Sequence, residues 1–233
     1  IGRDDALRQR GARDAILDAY RTRFDQIFPR DGSSFRNMLI AAPELEGKVV
    51  QGVDAAFLLN QSEIYPSLGD VSESNTFAYY FSRSKLSNVH YTLFRLWRRT
   101  GFRPVNVRTW LKMDISNPDQ TYSSALARIK AAKFVVSDTY HCLINSMNLG
   151  KKVIGVGRSA NVQEGTCGDF KKKVLFDDFG LSNFYIETDL SQNRLTESLL
   201  DSIGDLGDFS WGVLAQRRSE YKTALTDAIL GAL

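Results

Sequence analysis

Cysteine is nearly missing from this chain: 233 residues contain two, Cys142 and Cys167. They form no CxxC pair and no cluster with histidine at ligand spacing, which excludes a disulfide framework, argues against a metal site and points to a reducing compartment. Histidine is equally scarce, with only His90 and His141. No apolar run approaches the roughly 18 residues that a membrane-spanning helix needs. Charge of one sign is not in excess either. Thirty basic residues against 27 acidic ones leave a net +3, too balanced to argue for nucleic acid, so any cationic function depends on where the arginines and lysines sit. The glycines of GRSANVQEGTCG lack the GxGxxG and GxxxxGK[ST] spacings, so that segment carries neither a dinucleotide fingerprint nor a P-loop. The opening IGRDDALRQRG has no apolar core or cleavage site of a signal peptide. It starts on Ile, and the chain is expected to be a piece of something longer.

What is present suits a folded domain. Apolar residues make up 43% and charged residues 24%, which sets disorder aside. The first 65 or so residues read as mixed: a helix over DDALRQRGARDAILDAYRTRF, a polar stretch at FPRDGSSF, then KVVQGVDAAFLL as strand and turn. The stretch 61–75, QSEIYPSLGDVSESN, is the best linker candidate, with Pro, Gly and four serines. From 76 onward the pattern becomes regular. TFAYYFS, PVNVRTW, KFVVS, KKVIGV and FYIET read as short buried strands. VHYTLFRLWRRT, SSALARIKAA, YHCLINSMNLG, FKKKVLFDDFG, RLTESLLDSI and SWGVLAQRRSEYKTALTDAIL read as helices. Unbroken apolar strands alternating with amphipathic helices imply a doubly wound parallel α/β sheet covered on both faces.

In such sheets ligands bind beyond the carboxyl ends of the strands. The residues expected there are Arg83, Ser84 and Lys85, then Arg108, then Ser137, Asp138, Thr139 and His141, and finally Arg158 and Ser159. Arg108 ranks lowest, because it can lie inside its strand. With Ser137 or Asp138 as N-cap, the free amides of the helix starting near Tyr140 face the same edge, where the helix dipole favours an anion. A cationic imidazole is disfavoured in a first turn, so His141 is expected neutral until an anion arrives, which is how an anion-coupled proton donor behaves. Cys142 reads as a small buried apolar residue. A Cys-His nucleophile pair is ruled against, since neighbours at i and i+1 on a helix do not face each other. His90 is explained by packing with Tyr91, Phe94 and Trp97. The KKK run at 171–173 opens a helix against its dipole, so either something negative lies nearby or, the more expected case, the run is solvated.

The segment VVSDTYHCLINSMNLGKKVIGVG resembles the signature of the polysaccharide pyruvyl transferases, in which a strand leads into a histidine-bearing helix start and then a second strand. IGRDDALRQRG and VDAAFLL resemble two further stretches of that family in the right order, and the trailing helices take the place of its final helices. The chain departs from the pattern in having Thr139 for an arginine, Cys142 for Gly or Ala, and Lys151-Lys152 at the usual proline region. The resemblance implies a two-domain glycosyltransferase-B type fold. Residues 1–68 would be the C-terminal part of a first α/β domain plus linker, and 69–233 a second, Rossmann-like domain with C-terminal helices.

The resemblance further implies transfer of the carboxyvinyl group of phosphoenolpyruvate onto two hydroxyls of a sugar, forming a cyclic ketal and releasing phosphate. Phosphoenolpyruvate is then the donor substrate, with no cofactor and no metal, and the acceptor is a sugar or polysaccharide that can be lipid-linked. No nucleic acid is implied. The expected location is cytoplasmic, with the inner membrane face as the alternative. His141 would be proton donor or phosphate partner, and Arg3 matches a family cation facing the interdomain cleft. Arg83, Lys85 and Arg158 are inferred to bind phosphate or carboxylate, with Ser137, Asp138, Thr139 and Ser159 completing the site. Two other readings stay open at this stage. One is a nucleotide-sugar glycosyltransferase of the same architecture, with Glu164, Asp177 or Asp178 on the ribose; the other is a non-catalytic anion- or glycan-binding module.

Overall fold

A computed structural model describes residues 14–82, 88–107, 117–158, 168–188 and 194–231. Contacts divide the chain into two units, one made of the chain up to Ala55 together with the segment from Leu214, the other of Ala56–Val213. In the first unit lie helix α1 (residues 14–23) and helix α2 (Gly32–Ala41). Ala42, Leu45 and Val49 are buried there among Leu17, Tyr20, Ile27, Phe35, Met38 and Leu39. Two expectations change here. The polar FPRDGSSF stretch opens α2, because the Asp31 carboxylate accepts the Ser34 N–H at 2.7 Å and caps the helix. The strand expected at KVVQG reduces to one isolated bridge, Ile27 to Val49, and VDAAFLL closes in a 3-10 turn at Ala55–Leu58.

The second unit is built on strands β1 (Thr76–Tyr80), β2 (Arg103–Asn106), β3 (Phe134–Ser137), β4 (Lys152–Arg158) and β5 (Tyr185–Thr188), all parallel, in the order β2-β1-β3-β4-β5. Around them stand α3 (Gln61–Ile64), α4 (Val89–Thr100), α5 (Pro118–Ala131), α6 (Tyr140–Asn148), α7 (Gly168–Asp178) and α8 (Arg194–Gly204); α9 (Gly212–Gly231) follows and from Leu214 belongs to the first unit. The doubly wound α/β fold expected from the alternation is therefore present. Helices α5, α6 and α7 touch in succession, while α4 packs on α8, so the two sets cover opposite faces. The chain steps from β1 out to β2 and then returns past β1 to β3. That reversal makes the β1/β3 boundary the switch point, where an open α/β sheet leaves a crevice at its carboxyl edge.

Strand alternation decides what each face holds. Phe77, Phe134, Val136, Ile154, Val156 and Ile186 pack with Leu93 and Leu96 of α4 and Leu195 and Leu199 of α8. The alternate residues of β4, Gly155 and Gly157, meet α7 and β5. A Cβ at Gly155 would lie 2.6 Å from the Phe176 ring, and one at Gly157 would collide with the Tyr185 hydroxyl. These strand glycines thus permit a close approach, and a side chain there would displace a packed ring. Helix α6 ends as expected at Gly150, whose φ of 73° is the left-handed turn that glycine adopts without strain. The 61–75 stretch expected as linker carries α3 and a 3-10 turn at Pro66–Asp70, with Gln61 and Leu68 buried.

Two packing expectations are overturned. His90, Tyr91, Phe94 and Trp97 do not pack into the core: all four are exposed, because α4 turns Thr92, Leu93 and Leu96 inward instead. The lysine run is not uniformly solvated. Lys171 and Lys173 are exposed, but Lys172 is 1% exposed.

Candidate functional site

Strand β3 is wholly buried and ends on Ser137, and the chain then turns through Asp138 and Thr139 into α6. The N-cap is Thr139, not Ser137 or Asp138, and it caps with no side-chain hydrogen bond. The reason lies in how these three side chains are used. Ser137 Oγ donates to the Tyr80 carbonyl at 2.8 Å and accepts the Thr139 N–H at 3.0 Å. Asp138 Oδ1 accepts the Ser82 N–H and the Thr139 hydroxyl, each at 3.0 Å, and the Ser82 and Thr139 hydroxyls meet at 3.0 Å. All three residues are buried. They tie the end of β1 to the end of β3 across the switch point, and so set where the first turn of α6 stands.

His141 sits in that first turn and is exposed, its ring edge-on to Tyr140 with centroids 5.5 Å apart. Its backbone is held from below. Asn145 Nδ2 donates to the His141 carbonyl at 2.8 Å, while Asn145 Oδ1 accepts the Tyr122 hydroxyl at 3.0 Å and the Gln61 side-chain amide. At the other end of α6, Asn148 Nδ2 donates to the carbonyls of Ala56 and Leu59, at 3.1 and 2.6 Å. A surface imidazole on an anchored helix can reach a ligand without repacking the core.

Cys142, next along, behaves as expected. It is fully buried, and burial pushes its thiol up to about 12, so no thiolate is available at neutral pH. Tyr80 beneath it is likewise raised by burial.

The neighbouring strand end brings Arg158, half-buried at the tip of β4. Its backbone N–H donates to Asp169 Oδ2 at 3.3 Å. Sequence reasoning passed over the group that joins these two strand ends. The Lys172 ammonium donates to the carbonyls of Asp138 and Val156, both at 2.7 Å, and pairs with Asp169 Oδ1 at 2.6 Å. One cation thus fastens the β3–α6 turn, the end of β4 and the first turn of α7. The negative partner that a KKK run at a helix start requires is Asp169, one turn earlier at i−3. The available signal was the unfavourable dipole, and only the fold shows which lysine answers it. Tyr185, whose hydroxyl donates to the Asp169 carbonyl at 3.1 Å, closes the arrangement and is raised above its ordinary range chiefly by burial.

Of the residues expected at the site, the fold brings Ser137, Asp138, Thr139, His141 and Arg158 to the carboxyl ends of two adjacent strands. Arg3, Arg83, Ser84, Lys85, Arg108, Ser159 and Glu164 lie outside the described residues. Asp177 and Asp178 stand at the far end of α7, about 15 Å along its axis from the end that meets Arg158. That places them toward the amino-terminal edge of the sheet and away from any diphosphate at α6. Among the described residues no group of three or more His, Cys, Asp or Glu side chains is placed to hold a metal ion. No described helix is long and apolar enough to cross a membrane.

A family model described as polysaccharide pyruvyl transferase matches residues 8–160, well over half of the chain, and the match takes in β1 through β4 with the whole of α6. No curated protein matches the sequence.

Proposed function

The chain belongs to the polysaccharide pyruvyl transferase family, and from that premise we propose that it transfers the carboxyvinyl group of phosphoenolpyruvate to a sugar diol, making a cyclic ketal. The observation that carries the reading is an exposed imidazole in the first turn of a helix at a switch point, next to a strand that ends in arginine.

The chemistry sets the requirements. A proton goes to the methylene carbon C3 of phosphoenolpyruvate, and C2 becomes electrophilic. One sugar hydroxyl bonds to C2, the C2–O bond to phosphate breaks, and the second hydroxyl closes the ketal at the same carbon. The two hydroxyls release two protons; one replaces the proton given to C3 and the other leaves with phosphate. His141 is the proposed acid that delivers the C3 proton. Arg158 is the proposed partner of phosphate or carboxylate, since guanidinium matches either in a paired hydrogen-bond geometry. Arg83 and Lys85, which follow β1 in sequence, and Ser159, which follows Arg158, are proposed to complete the anion site, with Arg3 as a further cation. Ser137, Asp138 and Thr139 act in this proposal through the frame that they build, which fixes the amides of α6. No cofactor enters the proposed reaction, and the acceptor is a polysaccharide or its precursor, lipid-linked or free.

Incubating the full-length protein with phosphoenolpyruvate and a galactoside or N-acetylmannosaminide should release one phosphate for each ketal formed. Turnover of nucleotide sugars in place of phosphoenolpyruvate would replace this reading with that of a glycosyltransferase, and binding of either without turnover would mark a recognition module. Within the proposed site, Arg158→Ala should raise the KM for phosphoenolpyruvate by about 10- to 100-fold, the cost of one charge-assisted hydrogen-bonding partner, and leave the sugar KM nearly unchanged. A change confined to the sugar KM removes Arg158 from the anion site.

A further inference from the structure

Helix α4 carries apolar side chains on two faces, and only one of them is used by the core. Thr92, Leu93 and Leu96 are buried under the sheet, with Thr92 bonded to Thr196 at 3.0 Å. Tyr91, Phe94 and Trp97 follow at i, i+3 and i+6, which spreads them over an arc of about 120° on the opposite side. They are 52%, 54% and 42% exposed. Phe94 and Trp97 touch edge to face at 6.2 Å, and the Arg95 guanidinium lies over the Tyr91 ring at 5.9 Å. The result is a ridge of exposed aromatic rings along one side of the helix.

The charge carried by the helix itself has one sign. The helix VHYTLFRLWRRT contains no acidic residue and three arginines. Arg95 pairs with Glu197 of α8 at 2.7 Å, on the flank. Arg98 and Arg99, both exposed, have no ion-pair partner among the described residues. Trp and Tyr with arginine between them are the side chains that settle at the headgroup level of a bilayer, where rings enter the acyl boundary and cations meet anionic lipid.

We propose that the outer face of α4 is a docking surface for an anionic lipid bilayer. Two other occupants fit less well. A convex helix face with no Asn, Gln, Asp or Glu lacks the groups that hydrogen-bond sugar hydroxyls in pairs, and a second copy placed across this face would set arginines against arginines. The helix is too short to span, so the mode is attachment at the surface. The inference stands apart from the proposed reaction.

The test is co-sedimentation of the full chain with vesicles of phosphatidylcholine containing phosphatidylglycerol, and with pure phosphatidylcholine. Binding is expected to the anionic vesicles and to weaken with added salt. Phe94→Ser with Trp97→Ser should cut affinity roughly tenfold or more. Arg98→Glu with Arg99→Glu should cut it by at least about fivefold for each arginine. Because all four side chains are exposed, each double variant should keep the wild-type melting temperature; the charge pair reads the same surface independently if the aromatic pair does not fold. Failure of the wild-type chain to sediment with anionic vesicles overturns the proposal, as does equal binding by both double variants. Self-association or retention on a soluble polysaccharide that the aromatic variant abolishes, without vesicle binding, assigns the face to that other occupant and also overturns it.

Discussion

His141→Ala is expected to lower phosphate release from phosphoenolpyruvate by roughly 10² to 10⁴, the range that a positioned general acid contributes, while leaving the folded state intact. Both halves of that result follow from where the residue stands. The ring is exposed and, among the described residues, its ring contact is Tyr140, edge-on, so its removal opens no cavity. The contacts that hold the first turn of α6 belong to its backbone carbonyl and to Asn145, which the substitution leaves in place. Alanine is also favourable in a helix. The measurement is steady-state kinetics beside a thermal melt. A variant that melts like the parent and still turns over at the parent rate rejects His141 as the acid. One that melts much earlier shows instead that the ring supports the turn.

Lys172→Met is expected to have the opposite signature, a large loss of stability. Its ammonium is enclosed, with two backbone carbonyls and the Asp169 carboxylate as partners. Removing one member of a buried ion pair strands the other, which costs about 3–5 kcal/mol. Here the Asp169 carboxylate keeps, among the described residues, a long bond from the Arg158 backbone N–H, and it lies mostly out of solvent. For a chain of this size each kcal/mol shifts the melting temperature by about 2–4 °C, so a fall of roughly 6–20 °C is expected. Adding Asp169→Leu should recover part of the loss, because the stranded charge is then gone, although the carbonyls of Asp138 and Val156 remain without their donor. A melting temperature within about 2 °C of the parent would show that water or a rearranged neighbour replaces the ammonium. The same substitution loosens the turn that presents His141 and the strand end that presents Arg158, so activity should fall with stability in this variant and independently of it in His141→Ala.

Where several of the candidate residues stand was legible in the sequence, because their placement is local. KFVVSDTYHC announces a buried strand, a polar turn and a helix start within ten residues, and both His141 and Arg158 stand where strand-end reasoning puts them. The roles of Ser137, Asp138 and Thr139 were not legible. Small hydroxyl and carboxyl side chains after a strand read equally well as ligand contacts or as internal ties. What distinguishes the two is the partner, here the Tyr80 carbonyl and Ser82, more than fifty residues away in the chain. The expected strand at KVVQG failed for a related reason. An apolar pair needs a neighbouring strand, and this one finds Ile27 over a single bridge.

By itself the sequence determined the alternation of strands and helices from 76 onward, the parallel doubly wound sheet and the imidazole at its edge, since periodicity, glycine stops and strand apolarity are written over a few residues each. Only the tertiary structure decided that Lys172 is enclosed while its neighbours on either side are solvated, that α4 turns leucines inward and aromatics outward, and that the chain from Leu214 belongs with the chain up to Ala55. A helix with two apolar faces, or a run of three like charges, is degenerate until distant segments supply the surface it packs against or the carboxylate and carbonyls it pairs with.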